Sequence, residues 1–253
     1  EGFFPEETFG KVGARPKNAS SIEAKLSKAH LKKLEQGGRI EDLRVARDAI
    51  DDAIGTRITL SDPSPKTIDA IVDRLVAGIE KGELGVTKIN NYRAKTEGLP
   101  YCTEAQLERI KQAVERRGGR VEIVSGEKAQ KASGYTSLQM AVRYRNGATG
   151  ELQIRGHEVN ILAEIEHINY DLKEGKGLSP SLQKIPQLAA VAKAISGLDA
   201  RQLGAFNDYI AAKYRRARLA ENGGRPPEVP LPEALRSHPE LSIDAIAAHL
   251  PLH

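Results

Sequence analysis

The chain has one cysteine, one methionine, no tryptophan and only four phenylalanines among 253 residues. A single thiol, Cys102, excludes a disulfide within the chain and a zinc site built on cysteines. It fits folding in a reducing compartment. The shortage of aromatic rings weakens the case for a single-strand nucleic-acid binder, which stacks bases on such rings. No run approaches the ~18 uninterrupted apolar residues of a membrane span, so no membrane partner is expected. A glycine-rich phosphate cradle of the P-loop kind is missing, and nothing repeats. The opening EGFFPEETFG lacks an initiating Met and the basic-then-apolar layout of a signal peptide. It reads as a domain cut from a longer chain or as a trimmed one.

What is present has the balance of a soluble globular protein, 40% apolar and 28% charged. The net charge of +4 admits an anionic partner (a nucleotide, a nucleic acid or a membrane surface) without choosing one. Apolar spacing predicts helices over 20–36 and 41–54, a strand at RITLS (57–61), and a helix within 61–82. A strand follows at 86–92, then a helix opened by Thr103 as N-cap and closed by Gly118 and Gly119. RVEIVSG, SLQMAVRYR and GELQIRG read as strands, the last two joined by the hairpin signal NGATG. A helix from about His157, a long helical stretch from Ser181 to about Glu221, a proline-rich break at 223–233 and a short helix at 242–250 complete the chain. The expected architecture is α/β (α+β), one domain with a mixed β-sheet flanked by helices. Its core would span about 15–175, with a helical C-terminal extension over about 181–253.

Four stretches carry chemistry. In RPKNASSIEAK, Arg15 and Lys17 precede Ser21 and Lys25 at a helix start, a grouping that suits a polyphosphate or a solvated basic helix start. In IDDAIGTRI, Asp51 and Asp52 close a helix, where the dipole disfavours negative charge. That placement suggests a bound cation or an ordinary exposed helix end. In KASGYTSLQ, Lys131 and Tyr135 flank a glycine before a strand, as for a base stacked on the ring and a phosphate on the lysine, or as in a common turn. In GELQIRG, Glu151, Gln153 and Arg155 alternate with Leu152 and Ile154, so three polar groups share one strand face. On the helix that follows, Asn160, Glu164, His167 and Asp171 form a polar stripe. Glu166 falls in the apolar arc, where a carboxylate is costly unless paired.

Taken in order, R-x-K-x-x-x-S-x-x-x-K, D-x-x-G-x-R-I, G-Y-x-S-L, E-x-Q-I-R and A-x-x-E-H resemble the synthetase domain of the RelA/SpoT homologue family, which makes the alarmone (p)ppGpp. The resemblance covers Arg15 to about Lys173. It implies a nucleotidyltransferase-like mixed sheet flanked by helices, and a reaction in which an acceptor's 3′-hydroxyl attacks the β-phosphorus of ATP and AMP leaves. Carried over, Arg15, Lys17, Ser21 and Lys25, with Lys28 one turn on, would hold the ATP triphosphate, and Arg57 would stack on its adenine. Asp52 would bind Mg²⁺, with Glu151 as second ligand or as the base. Lys131 and Tyr135 would bind the acceptor, and Gln153, Arg155, Asn160 and Glu166 would finish its pocket and supports.

The family's N-G-Y-R-S-L-H is here Ser133-Gly134-Tyr135-Thr136-Ser137-Leu138-Gln139, without its Asn, Arg and His. Neither an upstream hydrolase segment nor regulatory modules accompany it. These departures resemble toxin members of the family, C-terminal domains of type VI secretion effectors that make (p)ppApp. They imply a secreted effector acting in the cytoplasm of a target cell, countered by a cognate immunity protein; a non-toxin would be cytoplasmic. ADP, ATP or AMP is then favoured as acceptor over GDP or GTP. Modification of tRNA 3′ ends, with KYRRAR (213–218) holding RNA, is a further family option, although nucleic acid is the less expected partner. An inactive nucleotide-binding or interaction module is the rival from another class. Glu151 and Asp52 argue against it.

Overall fold

The computed structural model describes residues 5–16, 35, 54–95, 99–173, 175 and 185–247. Among them, the short helix α1 (Glu6–Phe9) leads into β1 (Gly10–Pro16). Next come β2 (Ile54–Leu60), α2 (Pro65–Glu80), β3 (Leu84–Ala94) and α3 (Glu104–Arg116). β4 (Glu122–Val124), β5 (Gln130–Lys131), β6 (Ser137–Tyr144) and β7 (Thr149–Gly156) complete the sheet. Helices α4 (His157–Lys173), α5 (Pro186–Gly197), α6 (Ala200–Glu221) and α7 (Ile243–Ala247) follow.

The strands form one mixed sheet in the order β1-β2-β7-β6-β3-β4, with β5 beside β3. β2 and β7 run parallel at its centre; β1 with β2, β6 with β7 and β3 with β6 run antiparallel. This is the mixed sheet flanked by helices that the sequence leads one to expect. β2 begins at Ile54, inside the stretch read as helix. Pairing on both sides, with Pro16 and Gly150, supplies backbone partners that local propensity does not register. Apart from residues 35 and 54, the predicted helices at 20–36 and 41–54 lie outside the described residues.

Local signals account for several boundaries. Thr103 caps α3 in a full capping box with Gln106, which satisfies orphan amides at both ends of the motif. Ser64 accepts from the Thr67 amide at the start of α2, beside Pro65. The β6–β7 hairpin closes with Tyr144 N–H donating to the Ala148 carbonyl at 2.8 Å. The stretch from Ser181, read as one helix, is two where it is described. α5 ends at Gly197, and Asp199 starts α6 with its own capping box to Gln202, a stop-and-restart signal hidden in an otherwise helical pattern.

Two apolar clusters hold these layers. The first packs Ile58, Leu138, Met140, Leu152 and Ile154 of the sheet against α2 and α3. The second gathers Val159, Leu162 and Ile165 of α4 with Val191 of α5, Phe206 and Tyr214 of α6, and Leu235, Leu241 and Ile246 further on. A helix apolar around most of its circumference has to be covered on several sides, and α4 is covered by α5 and α6. The sheet's first face is thus core, while its second is left polar below the helical layer.

Cys102 lies in the first cluster, 1% exposed, and burial pushes its thiol up to about 12. Since the thiolate is the reactive form, a disulfide reagent at pH 8 should find no thiol in the native protein. It should titrate one equivalent when denaturant is added, making the residue a reporter of global unfolding.

Candidate active site

Strand register builds the polar face in rows. Residues opposite one another on paired strands point to the same side. Gly55, Glu151, Ala141 and Lys88 form the first row, and Arg57, Gln153, Gln139 and Asn90 the second. In a third, Thr59 neighbours Arg155, and Tyr92 neighbours Ser137. Glu151 is half-buried, whereas Arg155 is 3% exposed. The face therefore runs from open to enclosed as β7 approaches α4.

Along β7 the three polar groups touch. Arg155 Nη2 donates to Gln153 Oε1 at 3.1 Å, and Gln153 Nε2 donates to Glu151 Oε2 at 3.0 Å. The glutamine thus orients the carboxylate with one hand and restrains the guanidinium with the other. Glu151 Oε1 takes no bond among the described residues, and its strand neighbours, Gly55 and Ala141, are the two smallest possible. A half-exposed carboxylate with an uncommitted oxygen and open flanks suits a hard cation such as Mg²⁺. Deeper in, Arg155 Nε and Asn160 Oδ1 are buried and bonded to no described residue. Buried polar atoms are normally satisfied, so both fit a polar ligand or water.

Arg57 is bound by Glu164 of α4. Its pKa is lowered by burial and by the neighbouring Arg155, against the pull of Glu164. Sequence reading placed Glu164 in the polar stripe and gave it no role; the partner it holds is 107 residues away. Further along that stripe, the exposed His167 has its Nδ1 3.3 Å from Asp171, whereas Asn160 is buried.

The loop before β6 forms an aromatic group. Tyr135 lies 6.0 Å from Tyr92 and 6.1 Å from Tyr214, edge-on to the latter at 79°. Lys131 Nζ sits 4.2 Å over the Tyr92 ring, a cation–π contact. Gln139 donates to the Tyr135 hydroxyl at 2.7 Å. Burial raises the Tyr92 pKa, with Tyr135 and Glu151 adding to it, so this group stays a neutral phenol. Glu166, costly in its apolar arc, is compensated by the Tyr214 hydroxyl at 2.9 Å. Sequence reading missed Tyr92 and Tyr214. Tyr92 ends a legible strand pattern, but Tyr214 gives no local signal.

KYRRAR presents no row of free cations. Lys213 is fully buried and bonded to both oxygens of Asp244 at 2.7 and 2.8 Å. Arg216 pairs with Glu158 and Glu228. Arg218 pairs with Glu221, stacks 3.8 Å over Tyr101, and donates to the Pro100 carbonyl at 2.8 Å. Tyr101 in turn accepts from the Gly156 amide at 2.8 Å, and a Cβ at Gly156 would meet Glu221 Oε1 at 1.8 Å. The basic stretch is a structural tie, joining α6 to α7 through Lys213, to α4 through Arg216 and to the end of β7 through Arg218 and Tyr101.

Of the residues singled out from sequence, the structure brings together Arg57, Glu151, Gln153 and Arg155 on one face, joined to Lys131 and Tyr135 through Tyr92 and Gln139. Asn160 and Glu166 lie on α4. Arg15 pairs in backbone register with Gly55, the neighbour of Glu151. Lys17, Ser21, Lys25, Lys28 and Asp52 lie outside the described residues.

The model of a region found in RelA / SpoT proteins matches residues 14–175. No curated protein matches the chain. Among solved structures, it is similar to a GTP pyrophosphokinase family protein from Streptococcus pneumoniae. That match has 21% identity and a TM-score of 0.39, covering 82% of this chain and 80% of that one. It is also similar to the small alarmone synthetase 1 of Bacillus subtilis, with 19% identity and a TM-score of 0.40, covering 79% and 81%.

The Tyr135 loop depends on Gly134, which has φ +84° and lies against α6. An added Cβ would stand 2.9 Å from Ala211 Cα and 3.1 Å from its carbonyl oxygen. Gly134→Ala should destabilise the protein by about 1–3 kcal/mol, read as a lower urea midpoint at unchanged slope.

Proposed function

The chain belongs to the RelA/SpoT family and is a pyrophosphokinase of that type, and we propose that it transfers the β,γ-pyrophosphate of ATP to the 3′-hydroxyl of an adenosine nucleotide, giving (p)ppApp and AMP. The observation that carries this reading is the continuous polar face from Glu151 through Gln153 and Arg155, with Arg57 in register beside it and the tyrosine–lysine group on its far side. Such a transfer needs alignment and charge neutralisation more than covalent help from the protein.

In this reading Arg15, Lys17, Ser21, Lys25 and Lys28 grip the triphosphate, and Arg57, steadied by Glu164, lies along the donor adenine. Glu151 and Asp52 would hold Mg²⁺, which would supply charge neutralisation for the phosphates. Alternatively Glu151 would be the base for the attacking hydroxyl, its carboxylate aimed by Gln153. On the acceptor side, Tyr135 stacks on the base and Lys131 meets a phosphate. Arg155 and Asn160, each with a buried polar atom bonded to no described residue, offer a donor and an acceptor to the nucleotide. The whole chain serves as one catalytic domain, the extension supplying the helical layer above the face.

Gln139 in place of the family's histidine puts a guanine acceptor in doubt, and adenosine is favoured because the altered loop resembles that of toxin members. On the same grounds the protein is an interbacterial toxin, a secreted effector acting in the target cell's cytoplasm and countered by an immunity protein. A guanosine acceptor, as in the (p)ppGpp-making family, is the second reading. With Lys213, Arg216 and Arg218 paired internally, tRNA is the weakest acceptor. No described helix is long and apolar enough to cross a membrane.

Incubation with labelled ATP and, separately, AMP, ADP, ATP, GDP, GTP or tRNA should release AMP and yield a 3′-pyrophosphorylated adenosine. A product from guanosine nucleotides alone would promote the second reading. Glu151→Gln and Asp52→Asn should each cut turnover by at least ~10²-fold without moving the thermal transition by more than a few degrees. Full activity in either would remove that residue from the metal site.

A further inference from the structure

We propose that Tyr214 of α6, acting with Glu166, is a positioning residue for the acceptor nucleotide. It fixes the ring of Tyr135 on which the acceptor base would stack. This rests on the acceptor side proposed above and extends the site beyond residue 175, where the family match ends.

Tyr214 is fully buried and is held at both ends. Its backbone belongs to α6, while its hydroxyl donates to Glu166 of α4 at 2.9 Å. Between those anchors the ring meets Tyr135 edge-on, with centroids 6.1 Å apart, a favoured geometry for aromatic pairs. The loop carrying Tyr135 is pressed onto the same helix. A Cβ at Gly134 would come within 3.2 Å of Tyr214 Cβ, besides its contacts with Ala211. Gln139 at the hydroxyl and Tyr92 across the ring complete the restraint on Tyr135.

Each restraint needs the others. Without its hydroxyl, Tyr214 would lose the tie to α4 and leave Glu166 short of its donor in a half-buried position, a cost borne locally. The Tyr135 ring would then be free to tilt, and the binding of whatever stacks on it would weaken. On the donor side, Arg57 of β2 is held by Glu164 rather than by Tyr214 or Glu166, although it also interacts electrostatically with Tyr135. A positioning role therefore separates the two substrates, whereas a merely structural role would not.

Steady-state kinetics with ATP and the accepted nucleotide varied independently test this. Tyr214→Phe should raise the acceptor KM by ~5–10-fold and leave the ATP KM and kcat within about twofold. Glu166→Ala should match it, while Glu166→Gln, whose amide oxygen still accepts from Tyr214, should raise the acceptor KM clearly less than Glu166→Ala does. The double variant Tyr214→Phe/Glu166→Ala should be no worse than either single one, as expected for two members of one interaction. An unchanged acceptor KM in Tyr214→Phe, or equal rises for both substrates, overturns the proposal. If thermal melts show that Tyr214→Phe is unfolded, the Glu166→Ala and Glu166→Gln pair decides by the same criteria. If the wild type transfers nothing to any acceptor, the reaction proposed above falls separately. Calorimetric Kd values for ADP then judge Tyr214: an affinity equal to that of Tyr214→Phe, or no binding by either protein, overturns its role.

Discussion

The period of two along β7 is the constraint from which the rest follows. Leu152 and Ile154 must enter the core with α2 and α3, so Glu151, Gln153 and Arg155 are forced to the other side together. One residue of slip would bury the three polar groups and expose the two apolar ones. Register with β2 and β6 then sets what stands beside each group: small residues flank the carboxylate, and long polar ones flank the amide. The chemistry of the face is thereby fixed by the same alternation that fixes the core.

A polar sheet face cannot be sealed directly by an apolar helix without stranding its donors and acceptors. The second cluster of side chains, built on α4, α5 and α6, allows the helices to satisfy one another. They reach the sheet through specific contacts: Glu164 to Arg57, Tyr214 to Tyr135, and Arg218 with Tyr101 to Gly156. Those contacts ring the hydrophilic surface. The burial of Arg155 beside the partly open Glu151 follows from where the helices approach most closely.

What could be read from the amino-acid order was what local geometry determines. Alternation exposed the Glu151–Arg155 face, Thr103 marked a helix start as N-cap, glycine and asparagine marked the β6–β7 turn, and the placement of Glu166 in an apolar arc implied a hidden partner. What escaped were pairings between distant segments. Nothing around Glu164 announces an arginine on β2, and nothing in KYRRAR distinguishes a solvated cation from Lys213, which Asp244 neutralises in the interior. The restart at Asp199 was masked by apolar spacing that continues in phase on both sides. Pairing likewise pulled the start of β2 back to Ile54, against a helical pattern.

The close of β7 has a bearing on how the molecule comes apart. Its final amide is satisfied by a phenol from the β3–α3 connection, and that phenol is held beneath a guanidinium from the far end of α6, whose carboxylate neighbour fills the space a side chain at Gly156 would take. Sheet and helical cover are consequently locked at one knot, which neither can leave without uncovering charge in the other. Melting should be shared by both layers in a single cooperative step, and a shortened chain stopping at residue 175 would keep every described strand while losing the knot that makes them one body.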